Sequence, residues 1–387
     1  MQLSHRILFE RGFLFWLLGH LFLVSPAIAE SNHFQQRELK LLWEYSAKGA
    51  IDQAPLIRNN TVIAAPSGRA LLALDLQNGK QLWNYNPQAG IWSRAFAADK
   101  QTVYFGTRKA ELTAVNLING RHRWSVKLGF QLQVRPLIHK GVVYIATTQI
   151  GPGLPMQPER KAQLLAFKAG DGTLLWSHET LYYALQTPSI YGNTLYIGGS
   201  YFDPKQDIDE GGPMAIQARS IQDGTVKWTY FGEEGFIKTI VAAKKQVAFV
   251  GYQDFVTALD TKDGNLLWRK DTGNWVPALT GNREILYYGS ANTIVHAQRI
   301  SNGERIWEYN IPWGSFNYIL GEAVVDSERL IFLTQRGHVV GLNIETGNLL
   351  WSAETNIRAR TGLALAKDTI VMGSDRGGIR AYQLPDN

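Results

Sequence analysis

The chain of 387 residues holds 33 carboxylates, eight histidines and no cysteine, and this inventory bounds its chemistry. Without cysteine there is no thiolate nucleophile, no thiolate metal site, no disulfide scaffold and no thiol for a lipid to modify. His33, His122, His139, His178, His296 and His338 are scattered, with no metal-ligand spacing, and each reads as a surface residue. Asp203, Asp207, Asp209 and Glu210 share one stretch, but their spacing fits no EF-hand, so a solvated acidic loop is expected there and no metal site. The glycine-rich segments precede no helix and are turns, not phosphate loops. No catalytic acid–base pair stands out.

What remains is a set of aromatic and cationic residues: Trp92, Arg94, Phe236, Lys238, Trp275, Trp313, Phe316, Arg358 and Arg360. Rings and guanidiniums suit a planar anion or a protein partner, provided the fold brings them together. The net charge of +6 is spread along the chain, so no basic tract points to nucleic acid.

The elements that position these residues follow from an internal repeat. Seven segments carry a small residue, a glycine six positions later and a tryptophan four beyond that, from Ala73-Gly79-Trp83 to Gly341-Gly347-Trp351. The chain ends supply an eighth copy in two pieces, Ile379–Leu384 as its first half and Leu41–Tyr45 as its second. The repeat tryptophans Trp43, Trp83, Trp124, Trp176, Trp228, Trp268, Trp307 and Trp351 are spaced by 40, 41, 52, 52, 40, 39 and 44 residues. Each period reads as four short strands separated by turns such as Asn78-Gly79, a strong hairpin signal. Repeats of this length belong to propeller blades. The fold expected is all-β: an eight-bladed propeller of four-stranded antiparallel blades, a single domain over 30–387. A ring must close, so Leu39–Tyr45 is expected as the outer strand of the blade that ends at Leu384.

Two intervals are long, and their extra residues, Gln149–Gln163 and Tyr201–Ala215, fall between the second and third strands of adjacent blades. Counting back from the small residue aligns the approach to each innermost strand on the same face. Positions equivalent to Gln53 are Arg94, Val134, Gln186, Lys238, Pro277, Gly321 and Thr361; those equivalent to Ile51 include Trp92, Phe236 and Trp275. The channel mouth is therefore expected to present aromatic rings beside Arg94, Lys238 and Arg358 or Arg360, with Trp313 and Phe316 in another connection on that face.

Residues 1–29 read as a secretory signal: Arg6 and Arg11, the apolar run from Gly12 to Val24, then Ala27-Ile28-Ala29. The run falls short of the roughly 20 residues that span a bilayer. The expectation is a periplasmic protein, cleaved near Ala29 and without a direct membrane anchor.

The A-x-D-x-x-x-G-x-x-x-W pattern, complete at Ala73-Asp75-Gly79-Trp83 and Ala258-Asp260-Gly264-Trp268, resembles the repeat of quinoprotein (PQQ-type) propellers. Asn116 and Asn343 replace the aspartate; Lys168, Ser220 and Arg299 depart from it. The resemblance implies that each tryptophan docks against the small residue of the neighbouring blade, a structural role. Two branches carry different functions. One is similar to the outer-membrane β-barrel assembly lipoprotein B, which is anchored through a cysteine that this chain lacks. That branch implies a non-catalytic scaffold without cofactor, binding an envelope protein or peptide through the loop-rich face in outer-membrane assembly or envelope biogenesis, as a monomer or a subunit of a larger complex. The alternative branch is a PQQ-dependent dehydrogenase or a degenerate relative, holding a planar anion with calcium near Trp92 or Trp275.

Overall fold

A computed structural model describes residues 37–385, apart from 148–161, 181, 202–212, 235–236, 244, 252–253, 283, 314–318, 320 and 360. The proposed signal, most of both long loops with the acidic stretch, Phe236, Phe316 and Arg360 lie outside the described residues.

The described residues form eight antiparallel sheets and no helix. Blade 1 is built from Leu56–Arg58, Thr61–Ala64, Leu71–Asp75 and Gln81–Tyr85, paired in that order. Blades 2 to 7 span 91–127, 137–179, 182–234, 237–271, 279–310 and 324–354. The first strand of blade 4 is split into Tyr182–Leu185 and Ser189–Tyr191, both paired with Thr194–Tyr201. Short first strands of neighbouring blades touch, which makes them the inner ring. Middle strands are flanked by blades on both faces and are mostly buried, as in the fully buried Thr61–Ala64. Outer strands are covered less completely: Gln81–Tyr85 buries only Trp83 and leaves Leu82 47% exposed.

The core is distributed between blades. Eight clusters of buried residues each draw on two consecutive blades; Ile63, Leu71 and Trp83 meet Phe96, Val103 and Val115 between blades 1 and 2. Among them, Ile379 and Ala381 of blade 8 join Val62 and Leu74 of blade 1, so the ring is closed.

Blade 8 takes three strands from 364–383 and its outer strand, Lys40–Ser46, from the other end of the chain. The junction reproduces an intact repeat. In blade 1, Ala73 pairs with Trp83 and Leu74 with Gln81, so Leu82 is the extra residue of a bulge. In blade 8, Ala381 pairs with Trp43 and Tyr382 with Leu41, leaving Leu42 extra in the same way.

The turn before each tryptophan explains the repeat. Asp75 Oδ1 accepts the backbone N–H groups of Gln77 and Asn78 at 2.9 and 3.1 Å, and the Gly79 N–H returns to the Asp75 carbonyl. Asn116 and Asn343 perform the same task, so replacing aspartate there costs the turn nothing. Lys168 and Arg299 offer no such side-chain acceptor and keep the backbone bonds of the turn.

The tryptophans do not dock as the resemblance implied. Trp83 pairs in register with Ala73 of its own blade and covers the turn glycine of the next one. A Cβ on Gly120 would lie 2.7 Å from the Trp83 ring, and one on Gly79 2.6 Å from Trp43. Each of these glycines also has positive φ, 66° and 69°. The Trp83 indole N–H donates to the Leu117 carbonyl at 2.9 Å, and six other repeat tryptophans make the equivalent bond across their seams. Trp351 Nε1 is buried without such a partner, at the seam where the chain's ends meet. An indole burying about 200 Å² contributes on the order of 5 kcal/mol, as an upper bound.

Candidate functional site

One segment from each blade turns toward the axis at or just before its innermost strand. Together they enclose a cavity of about 570 Å³. Its wall includes Gln53, Arg94, Val134, Gln186, Lys238, Pro277, Gly321 and Thr361, one from each blade, which are the positions aligned by counting back from the repeat. The neighbours Asp52, Gln133, Arg135, Thr187, Thr239 and Glu322 complete the polar lining. They went unnoticed in the sequence, although the same alignment moved by one residue marks most of them.

The wall is charged unevenly. Arg94, Arg135 and Lys238 face Asp52 and Glu322, and Arg135 Nη1 lies 3.8 Å from Glu322 Oε2. Both partners of that pair are partly solvated, at 34% and 54% exposure, so it is worth roughly 0–1 kcal/mol and yields readily to a competing ligand. The segments from blades 7 and 8 meet backbone to backbone: a Cβ on Gly321 would lie 2.0 Å from the Gly362 nitrogen. Only glycine permits that approach.

The rings lie elsewhere. Among the described residues no aromatic side chain lines the cavity. Trp92 is half-buried with Arg108 Cζ 5.3 Å from its ring, and its indole N–H is buried without a partner. Trp275 is half-buried under Lys238 Nζ, 4.9 Å from the ring centroid. Trp313 stacks on His338 with centroids 4.6 Å apart and planes within 10°. Burial holds the His338 imidazole below its ordinary pKa, with Glu354 pulling the other way. Arg358 is exposed and lies off the axis, beside blade 8. The structure therefore puts cations at the axis and holds the three tryptophans in pairs around it, where the sequence had suggested an aromatic mouth.

A glycine ends certain second strands. Gly106, Gly289 and Gly373 each receive an apolar side chain from the following blade: Leu132, Ile319 and Ile51. Ile51, Leu132 and Ile319 are thus wedges between blades, and the residues two positions on, Gln53, Val134 and Gly321, reach the axis.

Among the described residues the donor set does not fit a calcium-bound quinone. No group of three or more His, Asp or Glu among the described residues is placed to hold a metal ion, and no described ring forms a floor for a planar cofactor.

Comparison with known proteins places this geometry in a family. The outer membrane protein assembly factor BamB of Yersinia pestis is 23% identical over 305 residues, spanning 73% of both chains. The structure of BamB from Moraxella catarrhalis, 18% identical, superposes with a TM-score of 0.66 over 89% of this chain and 100% of that one. Quinohemoprotein alcohol dehydrogenase from Comamonas testosteroni, 14% identical, has a TM-score of 0.67 over 90% of this chain and 78% of its own, so the fold is shared with enzymes too. The profile of the outer membrane protein assembly factor BamB matches residues 36–151, 88–230 and 212–386, and the chain belongs to that family.

Proposed function

We propose that the protein is a non-catalytic scaffold of outer-membrane protein assembly, exported to the periplasm, which holds a protein partner on the face where the axial cavity opens. The observation that carries this reading is the cavity itself: eight segments converge on a polar, cation-rich wall that offers hydrogen bonds and charge and, among the described residues, no aromatic ring. Such a wall suits partner side chains, and fold likeness to dehydrogenases is a weak warrant for their chemistry. Family membership supports the assembly role, and the apolar N-terminal run supports export.

The test is cross-linking and capture of a tagged chain from the envelope, comparing wild type with an Arg94→Glu, Lys238→Glu double variant. A stoichiometric envelope protein captured by wild type and lost from the double variant is expected. Capture unchanged by the variant overturns the axial face as the interface. Saturable quenching of tryptophan fluorescence by pyrroloquinoline quinone with calcium overturns the scaffold reading.

A further inference from the structure

A second concavity, of about 520 Å³, lies where blades 7 and 8 meet the N-terminal strand, and its wall carries four guanidinium groups: Arg336, Arg358, Arg376 and Arg380. Two carboxylates, Glu44 and Asp375, accompany them. Arg380 is committed within the fold, its Nε donating to Glu44 Oε1 at 2.9 Å and a terminal nitrogen to the Thr355 carbonyl at 3.2 Å. Arg336, Arg358 and Arg376 line the same space beside Asp375.

The arginines stand on rigid backbone. Thr334-Gln335-Arg336-Gly337 and Ser374-Asp375-Arg376-Gly377 are the same turn in adjacent blades, with the glycines at φ 91° and 90°. A Cβ on Gly337 would lie 2.2 Å from the Ile357 carbonyl oxygen, and one on Gly377 2.3 Å from that of Ala47. The Ala47 N–H donates to the Gly377 carbonyl at 2.8 Å, and the Asp375 N–H donates to the Arg358 carbonyl at 3.0 Å, which ties all three segments together. Exposed side chains thus project from a backbone that cannot drift.

Asp375 Oδ1 is buried and has no hydrogen-bond partner. A buried acceptor left in that state costs about 1–3 kcal/mol. The terminal torsion of an aspartate is soft, so a small rotation turns this oxygen toward a donor in the cavity. The ligand that answers both features carries carboxylates for the guanidiniums, which bind them in bidentate fashion, and N–H groups for Asp375. A phosphate or a phospholipid headgroup answers the first and is repelled by the second.

We infer that this pocket binds an extended acidic segment of the partner protein, with its carboxylates on Arg336, Arg358 and Arg376 and a backbone N–H on Asp375. The inference rests on the protein-binding reading above and adds the chemistry and place of one contact. Glu44 and Ser46 of the closing strand line the same pocket. Occupancy therefore ties that strand to blade 7 and stabilises the closed ring by mass action.

The test is fluorescence anisotropy of a short labelled Glu/Gly peptide titrated with the protein. Expected are saturable binding, a rise in unfolding temperature with peptide, and a loss of roughly tenfold or more in affinity for Arg336→Gln, Arg376→Gln. A charge-matched pair elsewhere, Arg121→Gln with Lys262→Gln, is expected to bind like wild type, with near-ultraviolet circular dichroism confirming that all variants fold. Equal weakening by both pairs overturns the site. Binding of phosphatidylglycerol vesicles or inorganic phosphate that the Arg336/Arg376 pair abolishes, without peptide binding, overturns the peptide in favour of a phosphate ligand. Partner capture that persists while wild type ignores the peptide overturns this inference and leaves the protein-binding reading standing.

Discussion

Arg135 and Glu322 meet across the axis of the ring, with Nη1 3.8 Å from Oε2. They belong to the third and seventh of eight blades, which stand opposite one another, so the pair spans the cavity at its full width. Its two members govern the cavity's charge in opposite senses. Glu322→Gln is expected to tighten binding of a tricarboxylate probe such as citrate, and Arg135→Gln to weaken it. Neither should move the unfolding midpoint beyond the roughly 1 kcal/mol that a solvated pair is worth. Isothermal titration showing both variants shifting affinity in one direction would refute this account of the axis.

The seam between tryptophan and glycine makes a sharper claim about stability. Gly264→Ala places a methyl 2.6 Å from the Trp228 ring at a φ of 77°, whereas Gly141→Ala, at φ 76°, meets nothing within 4 Å. The left-handed backbone costs about 1–2 kcal/mol in both, and overpacking adds about 1–3 kcal/mol in the first alone. Urea unfolding should therefore rank Gly264→Ala clearly below Gly141→Ala. Equal losses would mean that the glycine serves the turn and not the ring above it.

Trp351 allows the seam hydrogen bond to be isolated. Trp307 donates to the Ile344 carbonyl at 3.1 Å, while Trp351 Nε1 has no acceptor. Replacing either by phenylalanine removes similar packing, but only Trp307→Phe strands a carbonyl. Trp307→Phe should be the more damaging by about 1 kcal/mol. A Trp351→Phe variant that loses as much as Trp307→Phe would remove this distinction.

The ring and the axis were legible in the sequence for different reasons. An Asx turn, a positive-φ glycine and a bulged tryptophan are local requirements, so Asp75, Gly79 and Trp83 recur at fixed spacing wherever a blade is built. The axial positions follow because in six of the eight blades they stand 20 residues before the small residue, as Gln53 does before Ala73 and Arg94 before Ala114. The roles of Trp92 and Trp275 were not legible. Their partners, Arg108 for Trp92 and Lys238 for Trp275, lie 16 and 37 residues away in the chain, and the buried positions beside them are Ile91 and Val276. The arginine pocket was missed because Arg336 and Arg376 lie 40 residues apart in turns that the tryptophan motif does not include.

The N-terminal strand should behave as part of the ring's core and not as a fraying end. Its Trp43 N–H bonds the Leu76 carbonyl at 2.7 Å, and its ring covers Gly79 of blade 1. Removing residues 37–46 opens the contacts of blade 8 with blade 1 together with its outer sheet edge. Cooperative unfolding at ordinary temperature is expected, by tryptophan fluorescence. A permutant that joins 385 to 37 should fold, since Lys40 and Gln383 are already paired. A truncated protein that melts like the whole one would show that the strand does not close the ring.

His296 should make stability fall on mild acidification. It is 9% exposed and stacks on Tyr288 with centroids 4.9 Å apart. Burial pulls its pKa from 6.5 down to about 4; Glu308 opposes this and Arg305 adds to it. The folded protein therefore keeps the imidazole neutral, while the unfolded chain takes up a proton near 6.5. Above that pH the group's contribution is fully present; between 6.5 and about 4 it is lost progressively, because the unfolded state binds the extra proton. At about pH 5 the loss amounts to roughly 2 kcal/mol. His338, also held below its ordinary pKa, acts in the same direction. Urea midpoints compared at about pH 7.5 and about pH 5 should fall for wild type and fall less for His296→Gln, which has no proton to take up. If His296→Gln loses as much stability as wild type over that interval, the imidazole is not the group that titrates on unfolding.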